Sequence, residues 1–267
     1  MLTEVHVPDD VSSAARLVAA GATVLGGGTS LMPRLNDYSS APTELVSLRR
    51  AGLRGVEVEG PRVTLGAATT LAQLEADPRL AILDPVVRSI ASVPVRHLAT
   101  VGGNLFAPQP HGDLAVALVA LGADVELYDD AEGRRLSLEE LVTGEPDPHA
   151  LVTSVAFDLP DPGAFTYVKA ARRRFNSVSI VTVAATISES DGVVSQARIA
   201  LGGVGPRVVR AHAVEAALLG HRLDADVVAS AAEAGLAEIA PVDDAYASAW
   251  YRRRVFPVHL RRALLGA

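Results

Sequence analysis

The chain has 267 residues, 49% of them apolar but only 4% aromatic, and a formal net charge of −7. That length holds one large domain or two with a sizeable buried core, and a core built mainly from Ala, Val and Leu fits a compact α/β or α+β protein. The acidic balance argues against binding a nucleic-acid backbone, and the absence of cysteine excludes disulfides, thiolate nucleophiles, cysteine-ligated zinc and iron–sulfur clusters on this chain.

The opening residues lack the basic stretch and long apolar core of a signal peptide. No run approaches the roughly 18 apolar residues of a membrane span. The chain therefore reads as cytoplasmic. Asp9 and Asp10 cap a helix over 11–20 that Gly21 ends, and 23–25 form a short buried strand. Residues 43–48 suit another strand, and 56–59 with 62–67 alternate apolar and polar across Gly60-Pro61, a hairpin pattern. Helices follow over 71–76 and 84–92, then a strand over 95–101. An Ala/Leu/Val helix over 113–121 stops at Gly122 and leads to a strand over 124–128. Leu151, Val155, Phe157 and Leu159 mark a strand before the turn-rich Pro160-Asp161-Pro162-Gly163. That break is the expected boundary between a first domain, 1–160, and a second, 161–267. Beyond it, strands are expected over 164–170, 178–188 and 193–201, and helices over 213–219, 226–239 and 248–265.

Two glycine segments carry the chemistry: Val24-Leu25-Gly26-Gly27-Gly28-Thr29-Ser30-Leu31 and, about 75 positions later, Thr100-Val101-Gly102-Gly103-Asn104. Consecutive glycines reach φ > 0 without strain and can turn several N–H groups toward one anion. Two such nests suggest a nucleotide held between two backbone loops rather than at one helix tip. The first segment is not a Rossmann fingerprint, because Leu31 stands where the third glycine belongs. Val46, Ser47 and Leu48 also occupy the region of the ribose-binding acid. It is not a P-loop, because no lysine follows; Lys169 is the one lysine of the chain. Alone, the first segment reads equally as a tight surface turn and the second as a hairpin turn. Read together, Gly102 and Gly103 offer bare N–H groups, Thr100 a hydroxyl, and Asp113 an acceptor for ribose hydroxyls.

The residues Gly26-Gly27-Gly28-Thr29-Ser30-Leu31-Met32-Pro33 and Ala99-Thr100-Val101-Gly102-Gly103-Asn104, with Asp113, resemble the two FAD-binding loops of molybdenum hydroxylase flavoprotein subunits. That group includes the medium subunit of aerobic carbon monoxide dehydrogenase and the middle domain of xanthine dehydrogenase. The similarity continues through Tyr167-x-Lys169-x-x-x-Arg173, Gly202-Gly203-Val204-Gly205-Pro206-Arg207 and Tyr251-Arg252-Arg253 to Arg261-Arg262-Ala263-Leu264. It implies an α+β fold of the vanillyl-alcohol-oxidase type: an FAD-binding domain over 1–160, with subdomains of about 1–53 and 54–160, then a smaller domain with a three-stranded sheet and helices. It implies that Val24 to Leu31 line the diphosphate and that Thr100, Gly102, Gly103, Asn104 and Asp113 face them. Lys169 then lies near the flavin pyrimidine edge, where a cation meets developing negative charge, and Val152 touches the adenine end.

The implied function is an FAD-dependent oxidoreductase subunit that passes electrons from partner iron–sulfur clusters to NAD, a quinone or oxygen. Molybdopterin belongs to a large subunit and 2Fe–2S clusters to a small one, in a hetero-oligomer such as a dimer of heterotrimers. No side chain here needs to be catalytic, and no metal is expected. A competing reading is a free-standing flavin enzyme with His97 or His111 as base; another is a nucleotide-binding scaffold without turnover. This chain departs from several family members in having Thr29 in place of a histidine. His111 is a surface polar group or a covalent attachment point, and Arg172-Arg173-Arg174 a solvated face or a docking surface.

Overall fold

The computed structural model describes residues 2–37, 41–129, 132–144, 150–173 and 176–266. Chain order begins β1 (Glu4–His6), α1 (Val11–Ala19), β2 (Thr23–Leu25), α2 (Leu31–Asn36), β3 (Glu44–Ser47), β4 (Val56–Glu59), β5 (Arg62–Gly66) and α3 (Leu71–Ala76). It continues with α4 (Asp84–Ser89), α5 (Val93–Arg96), α6 (Val101–Leu105), α7 (Asp113–Ala120), β6 (Asp124–Asp129), β7 (Glu132–Ser137), α8 (Leu138–Thr143) and β8 (Leu151–Asp158). The rest is β9 (Phe165–Ala171), β10 (Ser179–Ser190), β11 (Val193–Gly202), β12 (Val209–Arg210), α9 (His212–Leu218), α10 (Ala225–Gly235) and α11 (Ala249–Leu265).

These elements divide into two units that interleave along the chain. The first comprises Met1–Ala81, Ser92–Ala107 and Asp124–Phe157; the second comprises Ile82–Ala91, Pro108–Ala123 and Asp158–Ala267. In the first unit, β1-β3-β2 form a parallel sheet and β4-β5-β8-β6-β7 a five-stranded one. Asp10 starts α1 by accepting a hydrogen bond from Ser13 N at 2.7 Å, which satisfies one of the unpaired N–H groups of a helix N-terminus. Ala14, Ala15 and Val18 then bury one face of α1 in a core shared with Val46, Leu48, Leu53 and Leu151.

The expected strand over 95–101 is absent. Val93, Val95 and Val101 carry a β-branched pattern, but Pro94 sits in the first turn of α5 and Thr100 caps α6 through Gly103 N. Proline and cap geometry favour helix starts and here outweigh the alternation. The elements β1, α2, β7, α8 and β12 were not expected. Of these, α8 does carry a legible capping box, Ser137 with Glu140.

In the second unit, β12-β11-β10-β9 form an antiparallel sheet, three long strands as expected plus a two-residue fourth. Both faces of β10 are covered. Val181, Val183 and Ala185 join the core with Val214, Leu218, Phe256 and Leu260 of α9 and α11. The alternate residue Thr182 points to α7, with its hydroxyl 2.7 Å from Asp113. Strand side chains alternate between faces, so double coverage turns β10 into a continuous buried run from Ser179 to Ala185. Every residue of α7 is buried, as expected of a helix apolar on all sides.

Candidate functional site

β2 delivers the first glycine segment, with Val24 exposed on the strand, to the start of α2, where Leu31 is buried. Between them, the backbone N–H groups of Gly27, Gly28, Thr29 and Ser30 have no acceptor among the described residues. The hydroxyls of Thr29 and Ser30 are likewise unpartnered there. Such successive unpaired donors suit an anionic oxygen ligand. Gly28 alone of the three glycines has positive φ, +74°.

Gly26 and Gly27 are required by space instead. A Cβ on Gly27 would lie 1.7 Å from the Leu98 carbonyl oxygen, and one on Gly26 would lie 2.7 Å from Thr100 Oγ1. Gly26 and Gly27 therefore sit directly against Leu98 and Thr100, at the entry to the second segment. Thr100 is the shared neighbour: its hydroxyl accepts from Gly103 N at 3.2 Å while standing against Gly26.

The second segment does not offer the bare donors expected of it. Gly102 N donates to Ala67 O at 2.8 Å, Val101 N to Thr69 O at 2.9 Å and Asn104 N to Thr100 O at 3.0 Å. These glycines lie in the first turn of α6 with negative φ, and their N–H groups are used by the fold. Added Cβ atoms would meet Ala67 Cβ at 3.1 Å and Thr100 Oγ1 at 3.0 Å. The site thus has one donor-rich segment braced by a close-packed second one. Asn104 is buried beside it.

Asp113 and Lys169 come together within the second unit. The carboxylate of Asp113 accepts from Lys169 Nζ at 2.9 Å and, through its other oxygen, from Ser179 Oγ and Thr182 Oγ1, both at 2.7 Å. The expected ribose acceptor is thus only 4% exposed and already holds three donors of its own unit. Thr182 stands opposite Lys169 in the β10–β9 register. The register shift between Ser179 and Val181 brings Ser179 onto the same carboxylate. Lys169 also donates to Ser89 O at 2.8 Å.

Ser89 Oγ donates to Val86 O and lies 2.9 Å from Tyr167 Oη, so the tyrosine is the donor in that pair. Burial first, and then the Asp113 charge, push the Tyr167 hydroxyl well above the usual phenol range. A cavity of about 350 Å³ opens beside this network, lined by Ser89, Tyr167, Lys169, Arg172, Arg173 and Ser177. The cations of Lys169, Arg172 and Arg173 make it a place for negative charge. Tyr167, Ser89, Ser179 and Thr182 were missed as site residues. The spacing Tyr167-x-Lys169 was a usable signal, since i and i+2 share a strand face.

The remaining expected residues scatter. Val152 is buried in β8. His97 follows α5, and His111 is exposed with an edge-to-face contact to Tyr246. Arg174 lies outside the described residues. Gly203, at φ +73°, leaves room for Arg252, whose guanidinium donates to Ile180 O at 2.6 Å, Gly203 O at 2.8 Å and Asp244 Oδ2 at 2.7 Å. Burial works to raise the Asp244 carboxyl, but the N–H groups of Ala247 and Tyr246 and the Arg252 guanidinium hold it below the usual range.

Comparison with known families decides the lineage. Residues 2–160 match the FAD binding domain in molybdopterin dehydrogenase, and 166–267 match the CO dehydrogenase flavoprotein C-terminal domain. The chain belongs to the molybdopterin dehydrogenase flavoprotein family. It is 29% identical to the carbon monoxide dehydrogenase medium chain of Afipia carboxidovorans, over 97% of this chain and 94% of that one. It is 30% identical to subunit alpha of the 6-hydroxypseudooxynicotine dehydrogenase complex of Paenarthrobacter nicotinovorans, over 98% and 93%. Among solved structures, carbon monoxide dehydrogenase from Hydrogenophaga pseudoflava superposes with a TM-score of 0.92 at 28% identity, covering 100% of this chain and 97% of that chain. Family membership makes FAD its cofactor and oxidoreduction its class. Among the described residues no helix is long and apolar enough to cross a membrane.

Proposed function

We propose that this chain is the FAD-carrying electron-transfer subunit of a cytoplasmic molybdenum hydroxylase complex. Its partners are a molybdopterin-binding large subunit and a 2Fe–2S small subunit, assembled as a hetero-oligomer. The observation that carries the reading is the run of unpaired donors from Gly27 to Ser30, braced by Leu98 to Thr100 where glycine alone fits. That donor set suits a diphosphate, the anionic centre of FAD.

In this reading Val24, Leu25 and Gly26 deliver the segment, Gly27 to Ser30 bind the diphosphate, and Leu31 anchors its exit. Thr100, Gly102, Gly103 and Asn104 form the supporting wall, and Val152 backs the adenine end. Lys169 would supply a cation for negative charge developing on the flavin, and Asp113 holds that ammonium rather than a ribose hydroxyl. Bound FAD supplies exchange between single electrons from iron–sulfur clusters and the electron pair taken by NAD, a quinone or oxygen. This chain contributes no proton-transfer group; Tyr167 stays neutral because its hydroxyl is held high. The subunit reading is favoured over a free-standing enzyme because relatives are named as chains or subunits of complexes.

Expressed with its two partners, the chain should purify in a three-subunit complex containing about one FAD per copy. A colourless chain that takes up no FAD on reconstitution would refute the cofactor assignment. A flavin-loaded chain that oxidises substrate unaided would refute the subunit role.

A further inference from the structure

Helix α11 has two unlike faces. Arg252, Phe256, Leu260 and Ala263 are buried, and Arg253 donates to the carbonyls of Leu236 and Ile239 at 2.7 and 2.8 Å. The opposite face carries Trp250, Arg254, Val258 and Arg261 at intervals of four, four and three, which align along a helix. Trp250, the only tryptophan of the chain, is 68% exposed, and Val258 is 48% exposed. The Arg254 guanidinium lies over the indole, 5.6 Å from its centroid. Arg254, Arg261 and Arg262 have no acidic partner among the described residues, and α11 itself holds no Asp or Glu. A cationic helix on a chain of net charge −7 is a local inversion of sign.

An exposed tryptophan, a stacked arginine and an aliphatic neighbour in one stripe form the composition from which interface hot spots are drawn. We propose that this face of α11 docks onto an acidic surface of a partner subunit, with Trp250 entering an apolar recess and Arg254 and Arg261 meeting carboxylates at its rim. The inference rests on the subunit reading above and adds to it the surface and the chemistry of the contact. Burial in the interface removes the indole from water, and the unpaired guanidinium groups gain the partners they lack here.

The experiment uses the full chain, loaded with FAD and carrying 5-fluorotryptophan, which labels Trp250 alone. Unlabelled partner subunits are added, and assembly is followed by sedimentation and the fluorine resonance. Docking predicts a shifted resonance that no longer responds to a soluble quencher. It also predicts that W250A and R254E assemble at least about tenfold more weakly, with FAD content unchanged and with greater salt sensitivity for the wild type than for R254E. An assembled wild-type complex with an unchanged resonance, or variants that assemble normally, would overturn the proposal. So would burial of Trp250 in a dimer of this chain alone. Failure of the wild type to assemble with any partner would instead bring down the subunit reading, and the docking with it.

Discussion

At the level of single residues, Gly27 shows most clearly what the glycines do. Its missing Cβ would fall 1.7 Å from a backbone oxygen, which cannot yield as a flexible side-chain end would. Gly27→Ala should cost at least about 1–3 kcal/mol as overpacking and should abolish FAD retention on a desalting column. Retained flavin with an unchanged Tm would contradict the close approach. The glycine pattern was legible in the sequence, but its physical reason was not. Neighbours such as Leu98 and Ala67 are set by tertiary packing, so the sequence invited an argument from positive φ that only Gly28 satisfies.

The Asp113–Lys169 pair invites a matched set of changes. Both side chains are largely withdrawn from water, at 6% and 8% exposure. Asp113→Asn leaves a buried cation without its counter-charge and should destabilise the chain by about 3–5 kcal/mol, read as a fall in Tm. Lys169→Met should retain flavin but lower its midpoint potential, on the order of 30 mV. An unchanged potential would remove Lys169 from the cofactor. Lysine and aspartate were each singled out from sequence, yet for separate tasks. The register shift that gathers Ser179 and Thr182 around the carboxylate leaves no sequence trace, which is why their union went unseen.

At the level of elements, local signals competed with one another. Helix α1, the β4–β5 hairpin and α10 followed their caps and alternation, whereas α5 and α6 took helical turns against a β-branched pattern because Pro94 and Thr100 fixed their starts. Helix α11 adds a pH dependence. Burial first, and then the Arg262 charge, hold the His259 imidazole below its ordinary value of 6.5, and its Nδ1 is buried without a partner. The unfolded chain therefore takes up the proton first on acidification. Stability from this site is complete above about pH 6.5 and falls as pH drops toward the folded-state value. Thermal unfolding between pH 7.5 and 5 should show a steeper loss for the wild type than for His259→Gln. Parallel curves would exclude the histidine as the source.

For the whole molecule, the decisive fact is that sequence order and spatial grouping disagree. The turn residues near Pro160 suggest a boundary there, and the two family matches cover residues 2–160 and 166–267. The second unit nevertheless includes Ile82–Ala91 and Pro108–Ala123. The latter holds the wholly buried α7, with Val116 packed where Gly202 leaves no Cβ. A fragment of residues 161–267 should therefore unfold without a cooperative transition, because β10 and β11 lose the helix covering one face. A sharp melting curve for that fragment would show that α7 is dispensable. Periodicity could not foresee this, since an all-apolar helix declares burial but not which sheet buries it.

The same weave bears on ancestry. The backbone passes from one unit to the other at five places, after Ala81, Ala91, Ala107, Ala123 and Phe157. A gene segment encoding either half alone would leave the donor incomplete and the recipient with unmatched ends. No single cut of the chain therefore separates the two units, and neither is encoded by one unbroken stretch.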